Sequence, residues 1–223
     1  MEKIILTGSE GLIGKRVKKY LSKNYKVVGL DLLNGSNLLD ENVIKQLFKR
    51  HNNAKYLINL HGYNDHLSKN IKRVRNNKYQ NFIKFHDINL YSFYLTNINF
   101  IKICKSAKGI INFASLYALQ SPKHFLYKEK KNIFYVTSKY GVIGLTKYLA
   151  SLYGKKINVN AIACGGIDFN IKNDFKRKLI RHIPKKRMMK VNELYGVIEL
   201  LCSEKSSYIN GSTITIDGGY SSW

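Results

Sequence analysis

Cysteine, proline and acidic residues are all scarce in this chain, and each shortage excludes something. The three cysteines, Cys104, Cys164 and Cys202, are odd in number and widely spaced, which suits neither a disulfide framework nor a zinc site. No metal is expected, and reduced thiols in a cytoplasm account for them. The two prolines, Pro122 and Pro184, both fall in connections, so no element is broken from within. No stretch approaches the ~18 unbroken apolar residues of a membrane span. The chain enters strand-like sequence at once and carries no signal-peptide pattern. These absences predict a cytoplasmic protein with no membrane partner.

The shortage of acids leaves 38 Lys and Arg against 14 Asp and Glu, a formal charge of +24. Such a balance can mark a nucleic-acid partner. Here the lysines are spread through every predicted helix and no nucleic-acid motif accompanies them. Compositional drift plus attraction of an anionic substrate is therefore the favoured reading. The densest cluster, from Lys172 to Lys190, would flank a substrate pocket.

With 223 residues and 44% hydrophobic content, the chain can bury one sizeable core, and one domain spanning 1–223 is expected. Strand-like runs recur at Lys3–Leu6, Tyr25–Leu30, Lys55–Leu60, Gly109–Ala114, Ile157–Ile162 and Ser212–Ile216. They are uninterrupted rather than alternating, as when helices cover both faces of a parallel sheet. Helical patterns lie between them at Leu12–Lys23, Glu41–His51, within Asn81–Lys105, Tyr135–Tyr153 and Val191–Ser203. The alternation predicts an α/β fold, a doubly wound, mostly parallel, Rossmann-like sheet with helices on both faces. The polar, basic Tyr63–Tyr79 segment reads as a loop with helical turns.

The first strand runs into Thr7-Gly8-Ser9-Glu10-Gly11-Leu12-Ile13-Gly14 and then a helix. Gly8 permits the tight turn, Gly11 lets backbone approach a pyrophosphate, and Gly14 lets helix and strand pack closely. Asp31 ends the second strand, where a carboxylate meets adenosine ribose hydroxyls and repels a 2′-phosphate, which favours NAD over NADP. Further on, Tyr135 and Lys139 stand at i and i+4 of one helix. A cation beside a phenol favours phenolate, so the pair is a candidate acid/base device.

These pieces fall in an order that resembles the short-chain dehydrogenase/reductase family over nearly the whole chain. After the glycine turn come Asn59-Leu60-His61-Gly62, Ile88-Asn89-Leu90, the Ile110–Ser115 strand end, Tyr135-Val136-Thr137-Ser138-Lys139, Asn158–Ile162, the turn Cys164-Gly165-Gly166-Ile167, and Ile216-Asp217-Gly218-Gly219-Tyr220. The resemblance implies that Tyr135 exchanges a proton with the substrate oxygen. Lys139 lowers the Tyr135 pKa and holds the nicotinamide ribose, Ser115 hydrogen-bonds the substrate oxygen, and Asn89 keeps a proton relay in place. It further implies dinucleotide contacts from Thr7, Gly8, Ser9, Gly11, Leu12, Ile13, Gly14, Asp31, Asn59, His61, Gly62, Tyr135, Lys139, Gly165 and Ile167. The chain departs from the family pattern in the spacing of its glycines and in His61, which stands for an alanine. Cys164 stands for a proline, and Asn37 for an adenine-binding aspartate.

The interval from Leu116 to Phe134 opens at the catalytic serine and carries Tyr117, Gln120, His124, Phe125, Tyr127 and Lys128. It reads as a substrate loop suited to a sugar, with rings for the apolar face and polar groups for hydroxyls. It also resembles the branch of the family associated with bacterial surface-carbohydrate biosynthesis, flagellin sugars included. The first expectation is an NAD-dependent oxidoreductase acting on a hydroxyl or carbonyl of an anionic sugar or sugar derivative. A polyol or keto-acid reductase of the same family and a non-catalytic nucleotide- or RNA-binding protein are the alternatives. The family's assembly through its long helices predicts a homodimer or homotetramer, with Ile143, Leu145, Leu149 and Leu152 as contacts.

Overall fold

The computed structural model describes residues 1–65, 78–169 and 174–222. Six parallel strands form one sheet: β1 (Lys3–Thr7), β2 (Lys26–Leu30), β3 (Tyr56–Asn59), β4 (Gly109–Phe113), β5 (Asn158–Cys164) and β6 (Thr213–Ile216), in the order β2-β1-β3-β4-β5-β6. Helices α1 (Gly14–Leu21), α2 (Glu41–Arg50), α3 (Lys78–His86), α4 (Ser92–Ile103), α5 (Ile133–Tyr153), α6 (Asp174–Arg181) and α7 (Tyr195–Leu201) lie among them.

Alternation within each strand explains why the apolar runs are continuous. Ile4 and Leu6 point to one face and pack with Val17 and Leu21 of α1 and Ile198 of α7. Ile5 points to the other, against Ile44 and Phe48 of α2, Phe100 of α4 and Leu149 of α5. The central strands thus serve two cores, and their side chains are mostly apolar. At the β3 and β4 ends asparagines bond to one another. Asn59 Nδ2 donates to Asn97 Oδ1 (2.6 Å) and Asn112 Oδ1 (2.9 Å), and Asn112 Nδ2 donates to Thr146 Oγ1 (3.1 Å). All four residues are buried, and the network fastens α4 and α5 to the sheet.

The chain leaves β1 toward β2 on one side and reaches β3 on the other, so the order reverses at β1 and opens a crevice at the strand ends. A full doubly wound half carries a further strand outside β2. Here a short 3-10 turn, Leu32–Asn34, follows Asp31, and Asp40 then caps α2 by accepting from Asn42 N and Val43 N. β2 is consequently the sheet edge. Asn37 has no strand to sit on and turns its Oδ1 to Leu39 N (3.1 Å).

Boundaries moved by a few residues from the sequence expectations, and three elements differ more. The expected long helix within Asn81–Lys105 is two α-helical pieces joined by a π turn, Asp87–Tyr91. The basic segment holds α6, and Val191–Leu194 is a 3-10 turn leading into α7. Most of the expected Tyr63–Tyr79 loop, residues 66–77, lies outside the described residues. Among the described residues, no helix is long and apolar enough to cross a membrane.

Helix α1 begins so close to the preceding turn that a Cβ on Gly14 would stand 1.9 Å from the Gly8 carbonyl oxygen. Gly144, within α5, faces open space. Gly14→Ala is expected to cost about 2–3 kcal/mol of unfolding free energy, as forced overpacking against backbone does. Gly144→Ala should add about 0.5–1 kcal/mol through helix propensity. Urea unfolding followed by circular dichroism checks both signs.

Candidate active site

The crevice is built from the C-terminal ends of β1, β3, β4 and β5. At β1, Gly8 adopts φ +69°, and a Cβ there would fall 2.6 Å from the His61 nitrogen, so the turn and the β3 loop touch backbone to backbone. Gly11 N closes the turn on Gly8 O (3.2 Å). The helix that follows has Ile13 at its N-cap, with no side-chain acceptor for the first amides. Those amides and the positive end of the helix are what a pyrophosphate requires. Ser9 is buried, while Leu12 is exposed beside the turn.

Asp31 is held at the β2 end, its Oδ2 accepting from Glu10 N (3.1 Å) and its Oδ1 from Leu33 N (3.0 Å). The side chain is thereby oriented at the edge of the crevice, and its capping of Leu32–Asn34 shares the carboxylate with the turn. The residues present fit a dinucleotide: a turn with glycine at its closest backbone approaches, a helix start without a side-chain cap, and a carboxylate placed beyond them.

At β3, Thr7 Oγ1 meets His61 Nδ1 (2.6 Å), and His61 Nε2 meets Ser92 Oγ (2.6 Å). Burial of the imidazole, reinforced by the Lys139 ammonium, depresses its pKa to about 3, so the ring is neutral. Gly62 borders both Asn89 and Lys139: a Cβ on it would lie 3.3 Å from Asn89 Oδ1 and 3.6 Å from Lys139 Nζ. Asn89, fully buried in the π turn, accepts from Tyr63 N (2.6 Å) and donates to Tyr63 O (3.0 Å) and Ser138 Oγ (3.2 Å). Single π turns inside helices recur at functional sites.

At β4, Ser115 caps a 3-10 turn by accepting from Tyr117 N (3.2 Å), and its side chain lies near enough to the Tyr135 phenol to lower its pKa. Tyr135 and Lys139 share the inner face of α5. Asn132, the N-cap of that helix, accepts from Phe134 N (2.9 Å). Lys139 Nζ donates to the Phe113 carbonyl at the β4 end (2.9 Å). At β5, Cys164 lies within electrostatic reach of both Tyr135 and Lys139. Gly165 N bonds Ile216 O (2.9 Å), and Ile167 pairs with Met189 in the core. The site therefore gathers Asn89, Ser115, Tyr135, Lys139, Gly8, His61 and Gly62, while Ile167 serves packing.

The sequence expectation makes Lys139 the cation beside Tyr135. In the chain alone burial pushes the Tyr135 phenol up to about 12, with the Ser115 side chain acting to lower it. Burial also pushes Lys139 down to about 8. Sequence reasoning missed Lys131, whose Nζ stands 4.0 Å from the Tyr135 ring centroid and donates to Asn64 Oδ1 (2.7 Å). Its place just before the Asn132 cap was the only signal. Around Tyr135, the expected substrate loop contributes Tyr117, Leu126 and Tyr127, and α6 covers them with Phe175 and Leu179.

Comparison with known proteins agrees with this geometry. Residues 10–221 match the family model described as enoyl-(acyl carrier protein) reductase. The 3-oxoacyl-acyl-carrier-protein reductase FabG of Buchnera aphidicola is 31% identical over 213 residues, covering 92% of this chain and 81% of that protein. The post-translational flagellin modification protein A of Campylobacter coli is 29% identical over 148 residues, 64% of this chain and 58% of that one. Among solved structures, a 4-hydroxyisoleucine dehydrogenase complexed with NADH superposes with a TM-score of 0.82 at 26% identity, covering 100% of both chains. The chain belongs to the short-chain dehydrogenase/reductase family, as an NAD(P)-dependent oxidoreductase.

The Lys139 shift has a consequence for stability. Its folded pKa, about 8, lies below the ordinary 10.5, so between those values the unfolded chain binds the extra proton and folding becomes more favourable as pH rises. Lys139→Met is therefore expected to be stabilised relative to the parent by up to about 3 kcal/mol at neutral pH, less whatever the lost Phe113 contact contributes. The gain should shrink steadily above pH ~8 and be gone near ~10. Paired denaturant melts across that range check the sign; a pH-independent difference would contradict it.

Proposed function

We propose that the chain is an NAD-dependent oxidoreductase interconverting a hydroxyl and a carbonyl on a small polar substrate, a sugar or sugar derivative, with Tyr135 as the acid/base. The supporting observation is the convergence of Ser115 at the β4 end with Tyr135 and Lys139 on one face of α5, Lys139 being anchored to the Phe113 carbonyl, above a turn whose closest backbone approaches fall at Gly8 and Gly14. A bound nicotinamide supplies or accepts the hydride. The protein's own part is to orient the reacting carbon and manage one proton. Tyr135, with its proton held tightly at neutral pH, is poised to donate to a carbonyl oxygen. Ser115 donates to the same oxygen as charge grows on it. Lys139, at about 8, is poised to exchange protons near neutrality, and Asn89 keeps the Tyr63 backbone and Ser138 fixed around it.

Asp31 at the β2 end supports NAD over NADP, because a carboxylate there repels a 2′-phosphate. Tyr117 and Tyr127 pack beside Tyr135 and Lys131 stands over its ring, and we read this mixture of rings and a cation as suited to a sugar carrying an anionic group. The likeness to the flagellin modification protein supports the carbohydrate reading. A second reading, reduction of a 3-oxoacyl thioester, is favoured by the likeness to the Buchnera reductase. The surface of α4 and α5 carries exposed Tyr91, Tyr94, Tyr140, Tyr148 and Leu152, which supports a homodimer or homotetramer built there. Leu149, by contrast, belongs to the core.

NADH titration followed by fluorescence is expected to saturate, with NADPH at least ~10-fold weaker and Asp31→Ser narrowing the gap. Turnover is sought with sugar, polyol, keto-acid and 3-oxoacyl substrates in parallel, and a 3-oxoacyl substrate working best would install the second reading. Tyr135→Phe should lower kcat at least ~100-fold while leaving NADH affinity within about threefold. Undiminished turnover in that variant would remove Tyr135 from the chemistry.

A further inference from the structure

His61 stands where the family pattern has an alanine, yet both of its ring nitrogens are engaged. Direction can be read along the chain of contacts. Ser92 Oγ donates its own hydrogen to the Ile88 carbonyl (2.7 Å), so toward His61 it is an acceptor and Nε2 must carry the proton. His61 Nδ1 is then unprotonated and accepts from the Thr7 hydroxyl. Thr7 Oγ1 in turn accepts from Leu60 N (3.2 Å). Thr7 Oγ1 also stands 3.3 Å from Asn59 Oδ1 and 3.4 Å from Ile58 O, but His61 Nδ1 at 2.6 Å is its shortest contact, so the series running from Thr7 through the imidazole to Ser92 and Ile88 is the one the distances favour.

The two ends of this series matter. Thr7 immediately precedes Gly8, whose absent Cβ would collide with His61 backbone. Ser92 closes the π turn by donating its backbone N–H to Asp87 O, a wider spacing than an α-helix uses. That spacing leaves the Ile88 carbonyl to be served by the Ser92 hydroxyl. The π turn is what carries Asn89 inward, to Tyr63 and Ser138. The Phe93 ring, 4.4 Å from the imidazole, holds it from the side. Lys139 is the charged group that faces it.

We infer that His61 is a positioning residue that locks the cofactor-binding glycine turn and the Asn89 turn into one unit through a neutral, Nε2-protonated imidazole. Loosening either end loosens the other, so cofactor affinity and Asn89 placement are coupled. The inference rests on the proposed cofactor site only for the effect on NADH; the coupling itself belongs to the chain.

The test has three readings. In nitrogen-15 NMR of the intact protein, His61 should show Nε2 protonated and Nδ1 bare, without titrating between about pH 5 and 8. An Nδ1–H or charged ring there overturns the inference by itself. Hydrogen exchange at the Tyr63 amide, which Asn89 holds, should speed at least ~10-fold in His61→Leu, which fills the space without the bonds. His61→Gln, whose amide can accept from Thr7 and donate to Ser92, should stay within about threefold of the parent. NADH dissociation constants should follow the same pattern, weakened at least ~10-fold by Leu and rescued by Gln.

Equal Tyr63 exchange in His61→Leu and the parent, or equal loss in Leu and Gln, would sink the coupling. Should His61→Leu not fold, Thr7→Val and Ser92→Ala break the series at its two ends. Each should then accelerate Tyr63 exchange, and unchanged exchange in Thr7→Val refutes the link. A parent that fails to bind NADH refutes the cofactor reading instead and leaves the NMR and exchange arms to decide this one.

Discussion

Backbone meets backbone where Gly8 lies against His61 and Gly14 against Gly8, and the rest of the site depends on that close approach. Nothing larger than hydrogen fits at either glycine. Because the turn is so tight, α1 can start with its amide end over the crevice, and the β3 loop can bring His61 and Gly62 beside it. A glycine sacrifices backbone entropy, and two in such a turn are sustained by the packing of Val17 and Leu21 beneath them.

The same compactness governs the chemistry. Desolvation acts on Tyr135, Lys139 and His61 alike, and in each it favours the neutral form. Lys139, at about 8, is the charge that remains among these three at neutral pH. Hydrogen bonds, rather than ion pairs, keep the polar groups in place: Lys139 to Phe113, Asn89 to Tyr63. The Asn59, Asn97, Asn112 and Thr146 network beneath extends this principle into the core, with Asn97 Nδ2 left as a buried donor without a partner among the described residues. Exposed pairs such as Lys45 with Glu41 contribute little by comparison.

Particular elements show what could be read in advance. The strands were legible because a two-faced parallel sheet writes itself as unbroken apolar runs, and the strand-turn-helix at Thr7–Gly14 because glycine spacing is local. The π turn at Asp87–Tyr91 was not, since Ser92, which closes it, is tied to His61 from the distant β3 loop. Nor was the edge position of β2, which follows from the short Leu32–Asn34 turn replacing a longer connection. Lys131 went unnoticed among so many lysines, and only its approach to the Tyr135 ring distinguishes it.

Local chemistry in the order of residues determined the class of fold, the cofactor turn and the shared helical face of Tyr135 and Lys139, since periodicity and spacing act over a few residues. The electrostatic character of that pair was decided by tertiary structure alone. Burial depth depends on the whole fold, and the Phe113 carbonyl and Ser115 side chain reach the pair from the end of β4, an element outside the helix that carries it.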